Sequence, residues 1–513
     1  MVPMRDGVRL FTSIYTPKRK SEKYPILMNR TPYTVAPYGK DQYKTSLGPN
    51  KLFAREGYIF VYQDVRGRYM SEGQFADVRP DIANNTPQQT DESTDTYDTI
   101  DWLVKNVENN NGRVGTYGIS YPGFYTSAGS IDSHPALKAC SPQAPVSDWF
   151  HGDDMHHNGA LWLAQNWSFF RTFGQDRPTP VSSNDYLRPW QGRATSDGYD
   201  FYLHLGGLKE TADAYQQGLG TRIKFWDEAM AHPNYDKFWE DRNILPKLRN
   251  IKCATMTVGG WYDNEDLYGA LHTYQSIERQ NPGIFNVLVV GPWFHGGWER
   301  SDGDWLGTAY FGSKTSLEYQ KNIELPFFDH FLKDKGDISQ IKEVNLFDTG
   351  SHEWRAFSEY EPTNGKDTAL YLASNGRLTF DLPKGTGGFD QYVSDPGNPV
   401  PYTQKITFNY PRDFMTEDQR FASTRPDVLV YQTEPLTADV TVAGDIKPSL
   451  FISSSGTDSD FVVKLIDVFP DDYKYPEGVK PPETSAFSVF EPGGYEMLLR
   501  GEPMPARFRS SFT

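Results

Sequence analysis

One short stretch limits the folds open to this chain more than any other: Gly118-Ile119-Ser120-Tyr121-Pro122-Gly123. It follows a strand-like run at 113–117 and opens a helix-like run that extends to about residue 132. A serine on so tight a strand-to-helix turn is pushed out toward solvent, and the backbone N–H of the next residue faces the same side. Small residues must surround it, because strand and helix approach closely there. The usual G-x-S-x-G pattern is not met, since Pro122 takes the place of the second glycine and Gly123 follows it. Alone, the segment is also compatible with an ordinary serine- and glycine-rich loop.

Two later segments decide between these readings. Val258-Gly259-Gly260-Trp261-Tyr262-Asp263 carries an acid just past an apolar strand, and Val289-Val290-Gly291-Pro292-Trp293-Phe294-His295 carries a histidine just past the next one. The order Ser120, Asp263, His295, each beyond a strand's carboxyl end, is the chain order of the α/β hydrolases. The expected fold class is therefore α/β: an α/β-hydrolase domain over 1–145 and 246–336, an inserted helical cap over 146–245, and an all-β jelly roll over 337–513.

The rest of the chain fits that division. Strands are expected at 8–15, 24–30, 57–63, 136–142, 254–260 and 286–290. The spacing of Ile100, Leu103, Val104 and Val107 predicts a helix over 91–107. Its acids Asp91, Glu92, Asp95 and Asp98 sit in the first turns, where the helix dipole favours them. The span 146–245 is rich in Trp and Tyr with helical periodicity. After residue 336, short alternating strands at 343–347, 369–372, 428–432, 440–442 and 461–468 are separated by Pro, Gly, Asn and Asp turns, as in a sandwich or jelly roll.

Acidic residues gather near the candidate nucleophile. Asp263-Asn264-Glu265-Asp266 places three acids within four residues, and Gly152-Asp153-Asp154 opens the cap. Carboxylates crowded beside an active serine repel one another unless a cation neutralises them, which points to a positively charged substrate. A merely solvated acidic loop stays open as the alternative. His151, Asp154, His156 and His157 invite a metal reading. Adjacent ligands on one short stretch rarely share a face, and a Ser-His-Asp triad needs no metal, so no metal or other cofactor is expected. The formal net charge of -16 argues against nucleic acid as a partner. No apolar run reaches membrane-spanning length. Cys140 and Cys253 are the two cysteines, so no disulfide framework supports the fold.

Several motifs together resemble the cocaine esterase / X-Pro dipeptidyl-peptidase superfamily: Met4-Arg5-Asp6-Gly7-Val8, Arg30-Thr31-Pro32-Tyr33, Gln63-Asp64-Val65-Arg66-Gly67-Arg68 with Ser71-Glu72-Gly73, and the Ser120 turn. Within it, Gly152-Asp153-Asp154 and Asp263-Asn264-Glu265-Asp266 resemble the α-amino acid ester hydrolases and the related acyltransferases. The resemblance implies Ser120 as nucleophile, Asp263 and His295 as its triad partners, and an oxyanion hole from the Tyr33 hydroxyl and the Tyr121 backbone N–H. It further implies that Asp154, Glu265 and Asp266 bind the substrate's α-ammonium group. Substrates would be small amino acid esters or amides, with water, a second amino acid or an amino-β-lactam nucleus as acceptor. It also implies a periplasmic or secreted location, a longer N-terminal segment, and a jelly roll continuing beyond the Arg500-Gly501-Glu502 strand; homo-oligomerisation is left open. Met155 stands where some ester hydrolases carry Trp, which bears on side-chain preference. An X-Pro peptidase, a cocaine-type carboxylesterase, a glutaryl acylase and a non-catalytic β-rich binding protein remain as rivals. The acids disfavour an anionic glutaryl group.

Overall fold

The computed structural model describes residues 1–82, 86, 89–360, 365–385, 388–482, 492–508 and 511–512. Its centre is a nine-stranded sheet. In chain order the strands are β1 (Thr12–Tyr15), β2 (Tyr24–Thr31), β3 (Ile59–Asp64), β4 (Asn110–Ser120), β5 (Leu137–Pro145), β6 (Ala254–Gly260), β7 (Asn286–Gly291), β8 (Val344–Asp348) and β9 (Glu353–Phe357). In space they run β9-β8-β7-β6-β5-β4-β2-β3-β1. All neighbours are parallel except the two edge pairs, β1 with β3 and β8 with β9. The inner strands are near-continuous apolar runs, as parallel strands covered on both faces must be. β3 and β6 are buried at every position.

The chain goes from β2 outward to β3 and then returns to lay β4 on the other side of β2. That reversal opens a crevice at the carboxyl ends of β2 and β4, the place where open α/β sheets bind ligands. Ser120 ends β4, and Tyr33 lies just beyond β2. Helix α1 (Glu92–Asn106) and helix α2 (Tyr121–Ser130) pack on one face, and Asp91 caps α1 through a reciprocal capping box with Thr94.

The acids in the first two turns of α1, Glu92, Asp95 and Asp98, are held by arginines. Asp95 pairs with Arg66 at 2.7 Å and lies 3.9 Å from Arg30; Arg30 meets Glu92 at 3.1 Å, and Arg66 also binds Asp6 at 2.7 Å. Asp98 takes the exposed Arg5 at 2.8 Å. The motifs around Asp6, Arg30 and Arg66 thus form one largely buried ionic network that ties the N-terminal segment to β2, β3 and α1.

The cap carries α3 (Leu163–Phe173), α4 (Gly198–Leu205), α5 (Leu208–Leu219) and α6 (Lys224–Ala231). Its own core is aromatic: the rings of Trp167 and Tyr215 stack 4.9 Å apart, and Trp226 is fully buried beside them. Helix α7 (Leu267–Gln280) follows β6 and returns the chain to the sheet. Cys140, buried on β5, and Cys253, buried just before β6, bring their Sγ atoms to 3.3 Å. Among the described residues, no helix is long and apolar enough to cross a membrane.

The C-terminal β domain differs from expectation in two places. The strand expected at 343–347 belongs to the large sheet: it is β8, hydrogen-bonded in parallel to β7. The hydrolase sheet therefore runs past residue 336. Among the described residues, the β domain proper shows two antiparallel pairs, β10 (Tyr371–Ala373) with β11 (Arg377–Thr379) and β12 (Asp460–Val468) with β13 (Glu496–Pro505). The runs at 428–432 and 440–442 form no strand, apart from one bridge from Gln432 to Arg377. Their alternation supplies strand propensity, but a strand also needs a hydrogen-bonded neighbour, and Val440 and Val442 are exposed.

Asp95→Ala would leave Arg66 with Asp6 alone and Arg30 with Glu92 alone, and removing one partner from such a buried network costs up to about 3–5 kcal/mol. The denaturant midpoint should fall accordingly. A change below about 1 kcal/mol would mean that the network is incidental to folding.

Candidate active site

Ser120 sits where β4 becomes α2, with φ 68 and ψ -126. A non-glycine residue in that region stores about 1–3 kcal/mol of strain and is kept only by over-determined surroundings. Those surroundings are explicit. A Cβ on Gly118 would come within 2.5 Å of the Pro122 backbone, and one on Gly123 within 2.6 Å of the Gln143 carbonyl. Both positions must stay bare, so the shifted glycine does the work of the missing one. Tyr121 begins α2, and its N–H has no acceptor one helical turn earlier. Its side chain turns into the core instead, where its hydroxyl accepts from Val78 N at 2.7 Å.

Asp263 and His295 meet beyond β6 and β7. The Nδ1 of His295 lies 2.9 Å from Oδ2 and 3.1 Å from Oδ1 of Asp263. Asp263 Oδ1 also accepts from the backbone N–H groups of Glu265 and Asp266, at 2.8 and 3.0 Å. Burial would raise the Asp263 carboxyl, but the His295 charge and these donors outweigh it and hold it below its usual range. For His295 burial acts downward, yet the Asp263, Glu265 and Asp154 carboxyls overcome it and lift the imidazole to about 9.

Ser120, His295, Tyr33 and Glu265 line one cavity of about 360 Å³, together with Asn29, Tyr117, Glu299, Arg300 and Arg412. The loop that carries Tyr33 is fixed from below. Asp64 accepts from Val35 N at 3.0 Å and from the Tyr38 hydroxyl at 2.8 Å, while Thr31 Oγ1 accepts from Tyr33 N at 3.1 Å. Arg68, buried against the ring of Phe173, donates to the Pro32 carbonyl at 2.9 Å. Tyr33 itself is 37% exposed at the cavity mouth. Packing around its phenol and the carboxyls of Asp154, Glu265 and Asp266 raise its pKa well above 10, so it remains a proton donor.

The residues of Gly152-Asp153-Asp154 divide their labour. A Cβ on Gly152 would meet the Tyr268 ring at 2.2 Å, which lets the cap loop lie against α7. Asp153 is structural: it accepts from Gly269 N at 2.6 Å, from Ser147 N at 2.8 Å and from Asp148 N at 2.9 Å. Asp154, at φ 41, donates its N–H to the Glu265 carbonyl at 3.0 Å, and its carboxylate receives Trp149 Nε1 at 3.3 Å. The loop contact thus couples Asp154 to Glu265 and Asp266. Glu265 Oε2 lies 3.8 Å from His295 Nε2, and Asp266 Oδ2 lies 3.9 Å from Nδ1. Burial, followed by the neighbouring acids, drives Asp266 well above the carboxylate range; Glu265 is pushed up to about 7, chiefly by burial. Both oxygens of Asp266 are buried without a hydrogen-bond partner.

The histidines of the cap loop point to separate protein acceptors: His151 Nδ1 to Asp148 at 2.8 Å, His156 Nδ1 to the Trp149 carbonyl at 2.9 Å, and His157 Nδ1 to Glu502 at 2.6 Å. These contacts lock the loop to itself and to the β domain. Sequence reasoning missed what that domain brings to the site: the Tyr410 hydroxyl donates to Glu265, and Arg412 lines the cavity. Nothing in Asn409-Tyr410-Pro411-Arg412 marks it. Asn29, by contrast, directly precedes the Arg30-Thr31-Pro32-Tyr33 motif and could have been inferred.

Comparison with known proteins agrees with this fold. Residues 6–297 match the X-Pro dipeptidyl-peptidase (S15 family) pattern, and residues 337–507 match the X-Pro dipeptidyl-peptidase C-terminal non-catalytic domain. The chain belongs to the S15 family. It is a serine hydrolase of the esterase and peptidase kind, within the CocE/NonD superfamily. It is 30% identical over 492 residues to a cocaine esterase from Rhodococcus sp., covering 92% of this chain and 80% of that one. Among solved structures, an aminopeptidase from a marine sediment Thaumarchaeota archaeon matches at 36% identity and a TM-score of 0.86. An α-amino acid ester hydrolase matches at 34% and 0.85; each comparison spans 100% of this chain and 82% of the relative.

The elevated His295 value has a direct check. The rate of His295 carbethoxylation by diethyl pyrocarbonate, followed by peptide mass spectrometry, should rise with pH through a midpoint near 9. Glu265→Gln should move the midpoint down, because it removes one of the charges that favour the imidazolium. The linked stability has the same sign: the raised pKa stabilises the fold fully below about 6.5, and the gain is lost as pH rises through about 9. An unmoved midpoint would mean that Glu265 is already neutral in the free enzyme.

Proposed function

We propose that this S15 serine hydrolase acts on esters and amides of small α-amino acids through an aminoacyl-Ser120 intermediate, which water or an amine acceptor resolves. One observation carries the reading: Asp266 is buried with neither carboxyl oxygen hydrogen-bonded, 3.9 Å from His295 Nδ1 and next in the chain to Glu265, which lines the cavity with His295 and Ser120. Nature rarely leaves such a group unsatisfied, and an α-ammonium supplies three N–H donors and the missing positive charge. A neutral ester would leave the acids uncompensated. That two solved relatives are an aminopeptidase and an α-amino acid ester hydrolase supports the same choice.

In this mechanism His295 Nε2 takes the Ser120 proton while Nδ1–H stays on Asp263. Ser120 Oγ attacks the acyl carbon, and the carbonyl oxygen takes up the negative charge. The Tyr33 hydroxyl and the Tyr121 N–H receive it; a donor in this role is worth about 3–4 kcal/mol. The tetrahedral centre then collapses, the bond to the leaving oxygen or nitrogen breaks, and His295 returns the proton to the leaving group. Water or an amine repeats the sequence on the acyl-enzyme.

The carboxyl cluster has a second consequence. The same acids that would hold the ammonium keep His295 protonated when the pocket is empty. A bound ammonium offsets their charge, lowers the imidazole's pKa and frees Nε2 to act as a base. Substrate charge then contributes to turnover as well as to binding.

Asp154→Asn tests the reading. Removing one member of a desolvated charge pair costs about 2–5 kcal/mol, or roughly 30-fold to several-thousand-fold in kcat/KM. The loss should appear with a free α-amino ester and shrink with its N-acetyl analogue. Equal losses on both would make Asp154 a structural residue and the enzyme a general esterase. Tyr33→Phe should lower kcat by about 10²–10³ with little change in KM. A pure KM effect would reduce Tyr33 to substrate positioning.

A further inference from the structure

The cavity carries charge that a simple alcohol leaving group does not need. Arg300 and Arg412 line it along with Asn29 and Glu299. Arg300 closes the short helix Gly297–Arg300 that follows His295, and its Nη1 donates to the His295 carbonyl at 3.2 Å. Arg412 belongs to the C-terminal β domain. Its guanidinium carbon lies 5.3 Å from the ring centroid of Phe294, the residue before His295. Among the described residues, neither guanidinium forms an ion pair with a carboxylate. Glu299, the acid beside them, is raised to about 8 by burial and by the nearby Glu324, so it is a neutral group at pH 7 and does not repel an anion.

Covalent geometry says what such a pair can meet. In a peptide, the carboxyl carbon of the departing residue lies one Cα beyond the scissile nitrogen, about 2.5 Å from it given the N–Cα and Cα–C bond lengths. A carboxylate on that residue cannot leave the neighbourhood of the reacting carbonyl, so it must fall in the same cavity. Planar guanidinium groups suit it, since they match a carboxylate with two parallel N–H donors.

We infer that Arg300 and Arg412 form a subsite for the free carboxylate of the residue on the leaving-group side, so that the amine which departs or arrives is an α-amino acid with its acid end uncapped. This inference rests on the proposed acyl transfer at Ser120 and names its second substrate class. In the peptide direction, the Ser120 Oγ–acyl bond forms, the C–N bond breaks and His295 gives its proton to the departing amine. In the synthetic direction, the amine attacks the aminoacyl ester, its proton passes to His295 and Ser120 Oγ is released. Arg412 would make the β domain a determinant of specificity beyond its contact through Tyr410.

The test compares Ala-Ala with Ala-Ala-amide as competitive inhibitors of alanine methyl ester hydrolysis. Both carry the same α-amine, so the ammonium site contributes equally and cancels. Both arginines face solvent at the cavity mouth, which limits the effect to a charge-assisted contact partly screened by water. The acid should bind about 10-fold more tightly than the amide, and 0.5 M salt should weaken the preference. Arg300→Gln together with Arg412→Gln should bring the ratio to within about 2–3-fold, and Arg412→Lys alone should retain part of it. Equal inhibition by acid and amide in the wild type, or an unchanged ratio in the double variant, would overturn the subsite. Failure of the α-amino acid reading would look different: N-acetyl-Ala-Ala would then inhibit as well as Ala-Ala, with the acid-to-amide ratio intact.

Discussion

Negative charge buried around one imidazole is the constraint on which the rest of this site depends. Asp263 is satisfied by His295 and two backbone N–H groups, and Asp153 by three backbone donors. Asp154, Glu265 and Asp266 lack comparable compensation, and their carboxyls rise out of the normal range as a result. Burying like charges is tolerable only if the groups protonate or a cation arrives. The surrounding structure is arranged to keep them there regardless. Asp153 fastens the cap loop to α7, the Asp154 N–H reaches the Glu265 carbonyl, and the Tyr410 hydroxyl closes on Glu265 from the β domain. Three separate parts of the chain thus converge on one electrostatic problem, which in the proposed reading a cationic substrate resolves.

Much of the catalytic sheet was legible because parallel strands read as apolar runs and because functional residues follow their carboxyl ends. β6 coincides with the expected 254–260, and β2, β5 and β7 differ only at their ends. β4 extends three residues beyond the expected 117, since hydrogen bonding to β5 continues up to the strained serine. The first strand is broken at Phe11, and its parts pair with different neighbours. Beyond residue 336 the reading was weaker. β8 has the same composition in either domain, and only its pairing with β7 assigns it to the hydrolase sheet.

For the site, residue type and position relative to strands brought Ser120, Asp263 and His295 together without any knowledge of distances. The acids were legible as a cluster, but their division was not. That Asp153 is a helix-capping group, while Asp154 turns to the Glu265 loop and Trp149, depends on a backbone turn at φ 41 that sequence spacing does not encode. Tyr410 and Arg412 escaped detection because their contacts with Glu265 and the cavity span a large separation along the chain, and no local pattern marks them. The motif arginines carried no assigned role in the sequence, and the structure gives them structural ones. Arg30 and Arg66 serve the buried network under α1, whereas Arg68 holds the loop that presents Tyr33.

The central claim is that substrate charge completes the site, and it is tested most directly by a pair of substrates alike in size and different only in charge. Alanine methyl ester and lactate methyl ester differ by an amine against a hydroxyl at the same carbon. On this account, the ratio of their kcat/KM values is large near neutral pH. It falls toward unity as the amine deprotonates, which for a free α-amino group begins near pH 7.7–8.0. A ratio close to one at all pH values, or one that rises as the amine loses its proton, would contradict the account.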